Sequence, residues 1–252
     1  MSIDPIHQFK IEPIFTIGHI GNQTIAFTNS SLYMLLTVVL ISILMIGGSA
    51  AQRLVPGRFQ SMAEITHEFV ASMIRSNAGA EGMKFFPLIF SLFMFICVSN
   101  LIGIIPYTFT VSSHIIITAV LALLVWFTVL IYGVSKHGLK FFKIFVPSGV
   151  PIFILPLVVF IEILSFFLVK PLSHSLRLFA NMLAGHIALK VFAGFVAMLG
   201  VAFGAVGWIG GVLPLGLTVA LTALELLVAF LQAYVFAILA CIYLNDAIHA
   251  GH

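Results

Sequence analysis

The sequence predicts an all-α, polytopic membrane protein, on the basis of its composition and its long apolar runs. Of its 252 residues, 62% are hydrophobic and only 8% are charged, whereas soluble domains have about 25% charged residues. A soluble fold of this size could not bury so much apolar surface, so lipid must solvate part of it. The net charge of +3 is small and the basic residues are scattered, which argues against a nucleic-acid partner.

One spanning helix and one surface helix are predicted in the first third of the chain. Residues 1–28 form a mixed, polar N-terminal segment, and the apolar run after it predicts a first span over 32–50. The stretch 52–84 is polar and partly amphipathic. Its apolar residues recur at helical spacing, which predicts a helix lying at the membrane surface. They are Ile65, Phe69, Met73 and Ile74.

A spanning hairpin is predicted over 85–134. The apolar runs Phe85–Ile105 and Ile115–Gly133 are each near the ~20 residues that cross about 30 Å of hydrocarbon. The turn 106–114 between them has no Lys or Arg. Basic residues instead follow the first and third apolar runs, namely Arg53, Arg58, Arg75, Lys84, Lys136, Lys140 and Lys143. By the positive-inside rule these loops and the C-terminus are cytoplasmic, and the N-terminus lies outside.

Two much longer apolar stretches make up residues 152–246. The first, about 152–203, would extend about 75 Å as one helix, which is too long for a perpendicular crossing. It is therefore either two spans or one strongly tilted helix. Pro171 is expected to kink it, and the residue pattern alone favours two spans. With no internal repeat and no soluble segment, residues 1–252 are predicted to form a single membrane domain.

Charged and polar residues within these two stretches are the candidate functional residues. A charge at the bilayer centre costs at least about 2.5–3.5 kcal/mol, so such a residue faces a helix bundle or water. The candidates are Glu162, Lys170, Arg177, Asn181, His186, Lys190, Glu225 and Gln232. Structural roles stay open for three of them: Lys170 and Lys190 could snorkel to the interface, and Glu162 could pair with Lys170. A structural explanation is weakest for Arg177.

Helical spacing sorts the candidates into faces. Arg177 and Asn181 are four residues apart and share a face, whereas His186 is nine past Arg177 and falls on the opposite one. Glu225 and Gln232 are seven apart and also share a face. Arginine stays protonated and can attract a carboxylate or repel a cation, whereas histidine and a buried glutamate can exchange protons. The pattern predicts a wet path that ends at a fixed positive barrier. No metal-ligand spacing is present, and we expect no metal or cofactor.

Three motifs resemble subunit a of F-type ATP synthases. The segment 170–186 reads KPLSHSLRLFANMLAGH, 231–236 reads LQAYVF, and 100–106 reads NLIGIIP. The resemblance covers the chain from about Phe27 onward. It implies a non-catalytic subunit of the bacterial inner membrane whose two long, steeply tilted helices lie against a rotating ring of c subunits. It thus favours tilted helices over two spans. Further implied partners are b-type peripheral stalk subunits, lipid and protons.

The resemblance also implies roles for individual residues in two offset half-channels. Arg177 matches the essential arginine, which attracts a ring carboxylate and blocks a direct proton leak, with Asn181 as polar support. His186 and Glu225 would line the outer half-channel. Some bacterial members carry a carboxylate at the position of His186 and a histidine at that of Glu225, whereas mitochondrial and alphaproteobacterial-like members have the order found here. Gln232 matches a glutamine near the arginine. Glu162 is similar to a carboxylate of the inner half-channel.

Two other functions are compatible with a helical membrane protein. A secondary transporter could bind substrate at the arginine, but such folds often have repeated halves, which this sequence lacks. A purely structural membrane subunit would gain nothing from buried charge.

Overall fold

The computed structural model describes residues 10–20, 23–50, 55–105, 108–146, 151 and 153–249. Their regular secondary structure is helical apart from one short hairpin, which confirms the predicted helical class. In chain order the elements are β1 (Pro13–Ile20), β2 (Gln23–Thr28), α1 (Asn29–Ala50), α2 (Arg58–Gly82), α3 (Phe86–Ile104), α4 (Ile115–His137), α5 (Leu155–Leu164), α6 (Lys170–Gly210) and α7 (Val212–Ile248).

Among the described residues, five helical segments are long and apolar enough to cross a membrane. They are Asn29–Ala50, Arg58–Ile104, Ile115–His137, Leu155–Gly204 and Val212–Ile248. Five such segments agree with a polytopic membrane protein, and together they include every region that the apolar runs identified.

A two-stranded antiparallel hairpin lies in the segment 1–28, which the sequence analysis treated only as polar. The Phe15 and Phe27 rings stack across it with their centroids 5.3 Å apart. β-Branched and aromatic residues favour strands, and the dipeptide Gly21-Asn22 between the two strands is a typical hairpin signal in a sequence. The hairpin is an exception to the all-α prediction, and the local composition of this segment explains it.

α2 leads into α3 through a short irregular stretch. Gly79 has φ 68°, a left-handed conformation that glycine adopts readily, and a 3₁₀ turn at Met83–Phe85 follows. Of the apolar residues that predicted α2, Met73 and Ile74 are buried whereas Ile65 is 69% exposed. The predicted start of this helix at residue 52 lies outside the described residues, and its position at the membrane surface stays a prediction.

The run Leu155–Gly204 is one continuous helical segment, so the division into two spans that the residue pattern favoured is wrong. Pro171 does not end it. Proline lacks an N–H and clashes with the carbonyl four residues earlier in a regular α-helix. Here a π-helical turn at Ser165–Val169 directly precedes α6 and changes the backbone hydrogen-bond pattern at this point. Pro171 thus occupies the first turn of α6, where proline is tolerated. The first irregular backbone angle in α6 comes at Gly204, with φ 57°.

The chain groups into two compact units. The first comprises Met1–Ser42, Phe95–His114 and Phe179–Gln232, and the second comprises Ile43–Met94, Ile115–Leu178 and Ala233–His252. In the second unit, aromatic side chains form much of the packing: Trp126 Nε1 donates a hydrogen bond of 2.9 Å to the Phe166 carbonyl, and the Phe145 ring meets Phe166 edge-on. A single functional membrane domain stays a prediction.

Candidate functional site

A buried acid–imidazole pair lies in the first unit, with one member on α6 and the other on α7. His186 Nδ1 and Glu225 Oε1 are 3.0 Å apart, and the two side chains are 6% and 4% exposed. The contact lacks hydrogen-bond geometry, and neither carboxylate oxygen has a hydrogen bond within the described part of the chain. Buried carboxylate oxygens normally find partners. The Glu225 carboxylate can therefore still accept a proton, or a hydrogen bond from a water molecule.

Thr110 completes the surroundings of the imidazole. Its hydroxyl lies 3.0 Å from His186 Nε2, and Thr110 is fully buried. Because a neutral imidazole has one N–H and one bare nitrogen, the Thr110 hydroxyl can donate to Nε2 or accept from it, according to the tautomer. The sequence analysis missed Thr110, because it lies outside every periodic segment.

Gly185 provides the room that Glu225 occupies. A Cβ placed on Gly185 would lie 2.9 Å from Glu225 Oε1 and 3.3 Å from its Cδ. Any larger residue at this position must displace the carboxylate or the helix. Gly185 lies within the 170–186 motif, but sequence alone assigns it no task.

A second buried polar contact in the first unit connects α3 to α7. Asn100 Nδ2 donates 3.3 Å to the carbonyl of Ala229, and Ser112 Oγ donates 2.5 Å to Asn100 Oδ1. Ala229 lies one helical turn past Glu225. The Asn100 amide, which belongs to the NLIGIIP motif, thereby holds α7 close to the acid–imidazole pair.

Arg177 has a different environment. Its side chain is exposed and, within the described residues, forms no ion pair. In the second unit it borders an open, mainly apolar surface that also includes Leu168, Val169, Leu172 and Leu176. An unpaired cation on an apolar surface is costly in a membrane.

The predicted distribution of faces agrees with the observed burial. Arg177 and Asn181 are exposed whereas His186 is buried, as expected for residues four and nine positions apart on one helix. Glu225 and Gln232 are both buried. Of the predicted site residues, His186 and Glu225 are in contact with each other.

The ion pair between Glu162 and Lys170, which the sequence left open as a structural alternative, does not form. Lys170 Nζ lies 3.6 Å from Asp246 Oδ2 at the end of α7 and 5.3 Å from the centroid of the Tyr243 ring. Eight helical residues advance about 12 Å along the axis, which is too far for a direct contact between Glu162 and Lys170. Glu162 is half-buried. Sequence analysis missed Asp246 because it lies at the very end of the apolar run.

No group of three histidine, cysteine or acidic side chains that could hold a metal ion occurs in the part of the chain that the structure describes. Histidine and a buried glutamate such as His186 and Glu225 can exchange protons, whereas Arg177 carries a fixed positive charge. These features define a class: a helical membrane protein with a buried acid–imidazole pair and an exposed, permanent cation.

Comparison with known proteins identifies the family within this class. The family described as "ATP synthase A chain" matches residues 31–245. The chain is 81% identical over 252 residues to "ATP synthase subunit a" of Bradyrhizobium diazoefficiens, with all of both chains covered. It is 77% identical over 252 residues to the protein of that name from Rhodopseudomonas palustris strain TIE-1, again with full coverage. Identity to that of Nitrobacter winogradskyi is 73% over 250 residues, which cover 99% of this chain and 100% of the relative.

The chain belongs to the ATP synthase A chain family. The resemblance that its motifs indicated is thus confirmed over essentially the full length. It is a non-catalytic, proton-transporting membrane subunit, and the alternatives of a secondary transporter and a purely structural subunit are set aside.

Proposed function

We propose that this chain is the stator proton channel of a bacterial F-type ATP synthase, with two offset half-channels that serve a carboxylate on a rotating c-ring. Arg177 would separate the two half-channels. The observation that carries the proposal is the exposed Arg177 cation, which lies on an apolar surface without an anionic partner in the described part of the chain. A carboxylate from a neighbouring subunit would offset its cost.

Arg177 suits the role of a barrier because its charge is permanent. A guanidinium does not deprotonate under ordinary conditions, so it cannot pass a proton on. It can favour the ionised form of an arriving ring carboxylate and repel a proton that moves directly from one side to the other. Asn181, one turn further along the same exposed face, would add polar support. Gln232 on α7 would do so from the neighbouring helix.

The outer half-channel would run past His186 and Glu225. Both side chains can exchange protons, and their atoms are 3.0 Å apart, within reach of direct or water-mediated transfer. Thr110 orients the imidazole from its other nitrogen. Glu162, half-buried toward the start of the long helical run, would be the carboxylate of the inner half-channel.

The lengths of the last helices support a tilted arrangement against the ring. The run Leu155–Gly204 has 50 residues, or about 75 Å at 1.5 Å per residue, against a hydrocarbon thickness of about 30 Å. Such a helix fits a membrane only if it is steeply inclined or lies partly within it. This geometry would present Arg177 and Asn181 along the ring surface.

The remaining partners and the location follow from the same proposal. The chain would lie in the bacterial inner membrane with its N-terminus outside and its C-terminus in the cytoplasm, in contact with lipid, c-ring subunits and b-type peripheral stalk subunits. It would need no cofactor, and protons would be the small species that it handles.

Replacement of Arg177 by alanine in the complete, reconstituted complex tests the proposal. We expect Arg177→Ala to abolish ATP synthesis driven by an imposed proton gradient while the complex still assembles, because the ring carboxylate loses its counter-charge and the barrier is gone. The matched control is Arg75→Ala, which removes an exposed arginine paired with Glu68 at 3.3 Å. Normal coupled synthesis in the Arg177→Ala complex would overturn the proposal.

A further inference from the structure

The carbonyl of Phe166 lies where the main-chain hydrogen bonds of the long helical run Leu155–Gly204 are interrupted. The N–H that would reach it in an α-helix is that of Lys170, which donates to the Ser165 carbonyl instead. The N–H that would reach it in a π-helix, five residues on, would belong to Pro171, which has none. The helix itself therefore supplies the Phe166 carbonyl with no main-chain donor.

Trp126 on α4 supplies the missing donor. Its Nε1–H donates to the Phe166 carbonyl at 2.9 Å. The Phe166 side chain is only 4% exposed, and its ring packs against that of Trp126 with the centroids 6.1 Å apart. Because lipid offers no hydrogen bond, a carbonyl that is freed within a membrane span has to be satisfied by a neighbouring helix. The indole thus allows a proline to occur within this run.

A second side-chain contact joins the same two helices beyond Pro171. The hydroxyl oxygens of Thr118 on α4 and Ser175 on α6 are 3.0 Å apart, and these residues are 0% and 3% exposed. Thr118 Oγ1 also lies 3.1 Å from the Ile115 carbonyl, which can only accept. When Thr118 donates to that carbonyl, Ser175 donates to Thr118, so both hydroxyl hydrogens have an acceptor within the protein.

The two contacts are matched in spacing, and all four residues lie in the second unit. Trp126 is eight residues after Thr118, or about 12 Å along α4. Ser175 is nine residues after Phe166, or about 13 Å along the helix that α4 meets. The contacts occur in reverse order on the two helices, which therefore run antiparallel. α4 thus holds the other helix at two points, one on each side of Pro171.

Arg177 lies in the turn that the second contact holds. It follows Ser175 by two residues, which places the two side chains about 200° apart around the helix. The burial agrees with this angle, since Ser175 and Leu178 are 3% and 1% exposed whereas Arg177 is exposed. The contact on the packed side of α6 therefore determines the direction around the helix in which Arg177 extends.

We propose that α4 sets the position of Arg177 through these two contacts, with Trp126 and Thr118 as positioning residues. Trp126 donates the hydrogen bond that Pro171 cannot, and so fixes the helix along its axis before the proline. Thr118 fixes its rotation after the proline. The inference rests on the proposed function, because a barrier works only if the guanidinium stays at the place that a ring carboxylate passes.

A double-substitution cycle between Trp126 and Pro171 in the complete, reconstituted complex tests the role of the indole N–H. Trp126→Phe keeps an aromatic ring but removes the donor, whereas Pro171→Ala provides a main-chain N–H that can replace it. We expect Trp126→Phe to lower proton-driven ATP synthesis at least fourfold when Pro171 is present, and less than twofold when Pro171→Ala is already in place. Equal losses in both backgrounds would show that Trp126 acts by packing alone, and would overturn its assigned role.

Thr118 is tested by substitutions that change its hydroxyl and little else. We expect Thr118→Val to lower synthesis about two- to fivefold, and Thr118→Ser, which retains the hydroxyl, to stay close to wild type. The matched control is Thr128→Val on the same helix, because the Thr128 hydroxyl donates to the Leu124 carbonyl within α4. Equal rates for the two valine variants would contradict the role of Thr118 as an anchor.

The number of protons moved per ATP separates positioning from a general loss of packing. At equal amounts of assembled complex, a displaced Arg177 should let protons pass without synthesis, so Trp126→Phe and Thr118→Val should raise this number. A packing defect would lower the amount of complex and leave the number unchanged, and that result would overturn the inference. A high-resolution map of the wild-type complex should place Trp126 Nε1 within about 3.2 Å of the Phe166 carbonyl oxygen, and a broken contact there would contradict it.

Arg177→Ala in the same vesicles distinguishes this inference from the function on which it rests. If Arg177→Ala abolishes synthesis while Trp126→Phe and Thr118→Val change neither synthesis nor the protons moved per ATP, only the positioning role fails. If Arg177→Ala leaves synthesis intact, the proposed function fails first, whatever the two α4 variants do.

Discussion

The Arg177 region and the His186 region lie on one helix but differ in every property that governs proton chemistry. Arg177 is exposed, permanently charged and without an ion-pair partner among the described residues. His186 is buried, titratable and held by two neighbours, Glu225 and Thr110. The difference teaches that one helix can carry a permanent charge on one face and a buried acid–imidazole contact on another. In the proposed function, the first region is completed by a neighbouring subunit, whereas the second is built largely within the chain.

This contrast predicts that ATP synthesis responds differently to substitutions in the two regions. Because the proposed barrier depends on one charge, with no second cation of the described residues assigned to it, removal of Arg177 should have the largest effect of any substitution considered. An exchange pair depends instead on having one acid and one imidazole in contact, whichever helix carries which.

The double exchange His186→Glu with Glu225→His tests the second half of the contrast. We expect each single change to lower proton-driven ATP synthesis at least tenfold, because it leaves two acids or two imidazoles 3.0 Å apart. The double variant should recover to within about threefold of wild type, since contacting residues couple strongly. Synthesis rates of the four complexes measure this coupling. Losses that simply multiply in the double variant would show that the two side chains act independently.

Gly185→Ala is expected to have an intermediate effect. The new methyl group would approach Glu225 Oε1 to 2.9 Å, so the carboxylate must turn away from His186. We expect a three- to tenfold lower synthesis rate with normal assembly. Gly210→Ala is the matched control, because a Cβ there meets no atom within 4 Å. Equal rates for the two alanine variants would mean that Glu225 has room to move at no cost.

Thr110→Val should give the smallest of these effects. The change removes the hydroxyl that lies 3.0 Å from His186 Nε2 but keeps the shape of the side chain. A net hydrogen bond is worth about 1 kcal/mol, or about a fivefold change in an equilibrium. We therefore expect a two- to fivefold loss in synthesis rate, with Thr110→Ser close to wild type. If serine is as defective as valine, the hydroxyl is not the property that matters.

Much of the fold and part of the site were predictable from the sequence. Long apolar runs identified the spanning helices, because the bilayer imposes a length and a composition on each of them. The spacing of Arg177, Asn181 and His186 predicted that the first two share a face and the third lies on another, since residues on a helix sort by angle. The seven-residue spacing of Glu225 and Gln232 worked for the same reason.

The parts that could not be predicted depend on contacts between distant segments. Thr110 reaches His186 from a connection without periodicity, and the space beside Gly185 exists only because α7 places Glu225 there. Pro171 suggested a broken helix, because local rules do not foresee a π-helical turn that accommodates it. Charge alone left a Glu162–Lys170 pair open, whereas Asp246 is the acid within reach of Lys170.

The most direct measurement of the central claim is the position of the Arg177 guanidinium in a high-resolution map of the whole ATP synthase. The account predicts that it faces the c-ring, with a ring carboxylate within about 4–6 Å when that subunit passes α6, the range in which opposite charges shift each other's protonation. A guanidinium that points into lipid or bulk water, with no ring carboxylate near it in any rotational position, would contradict the account.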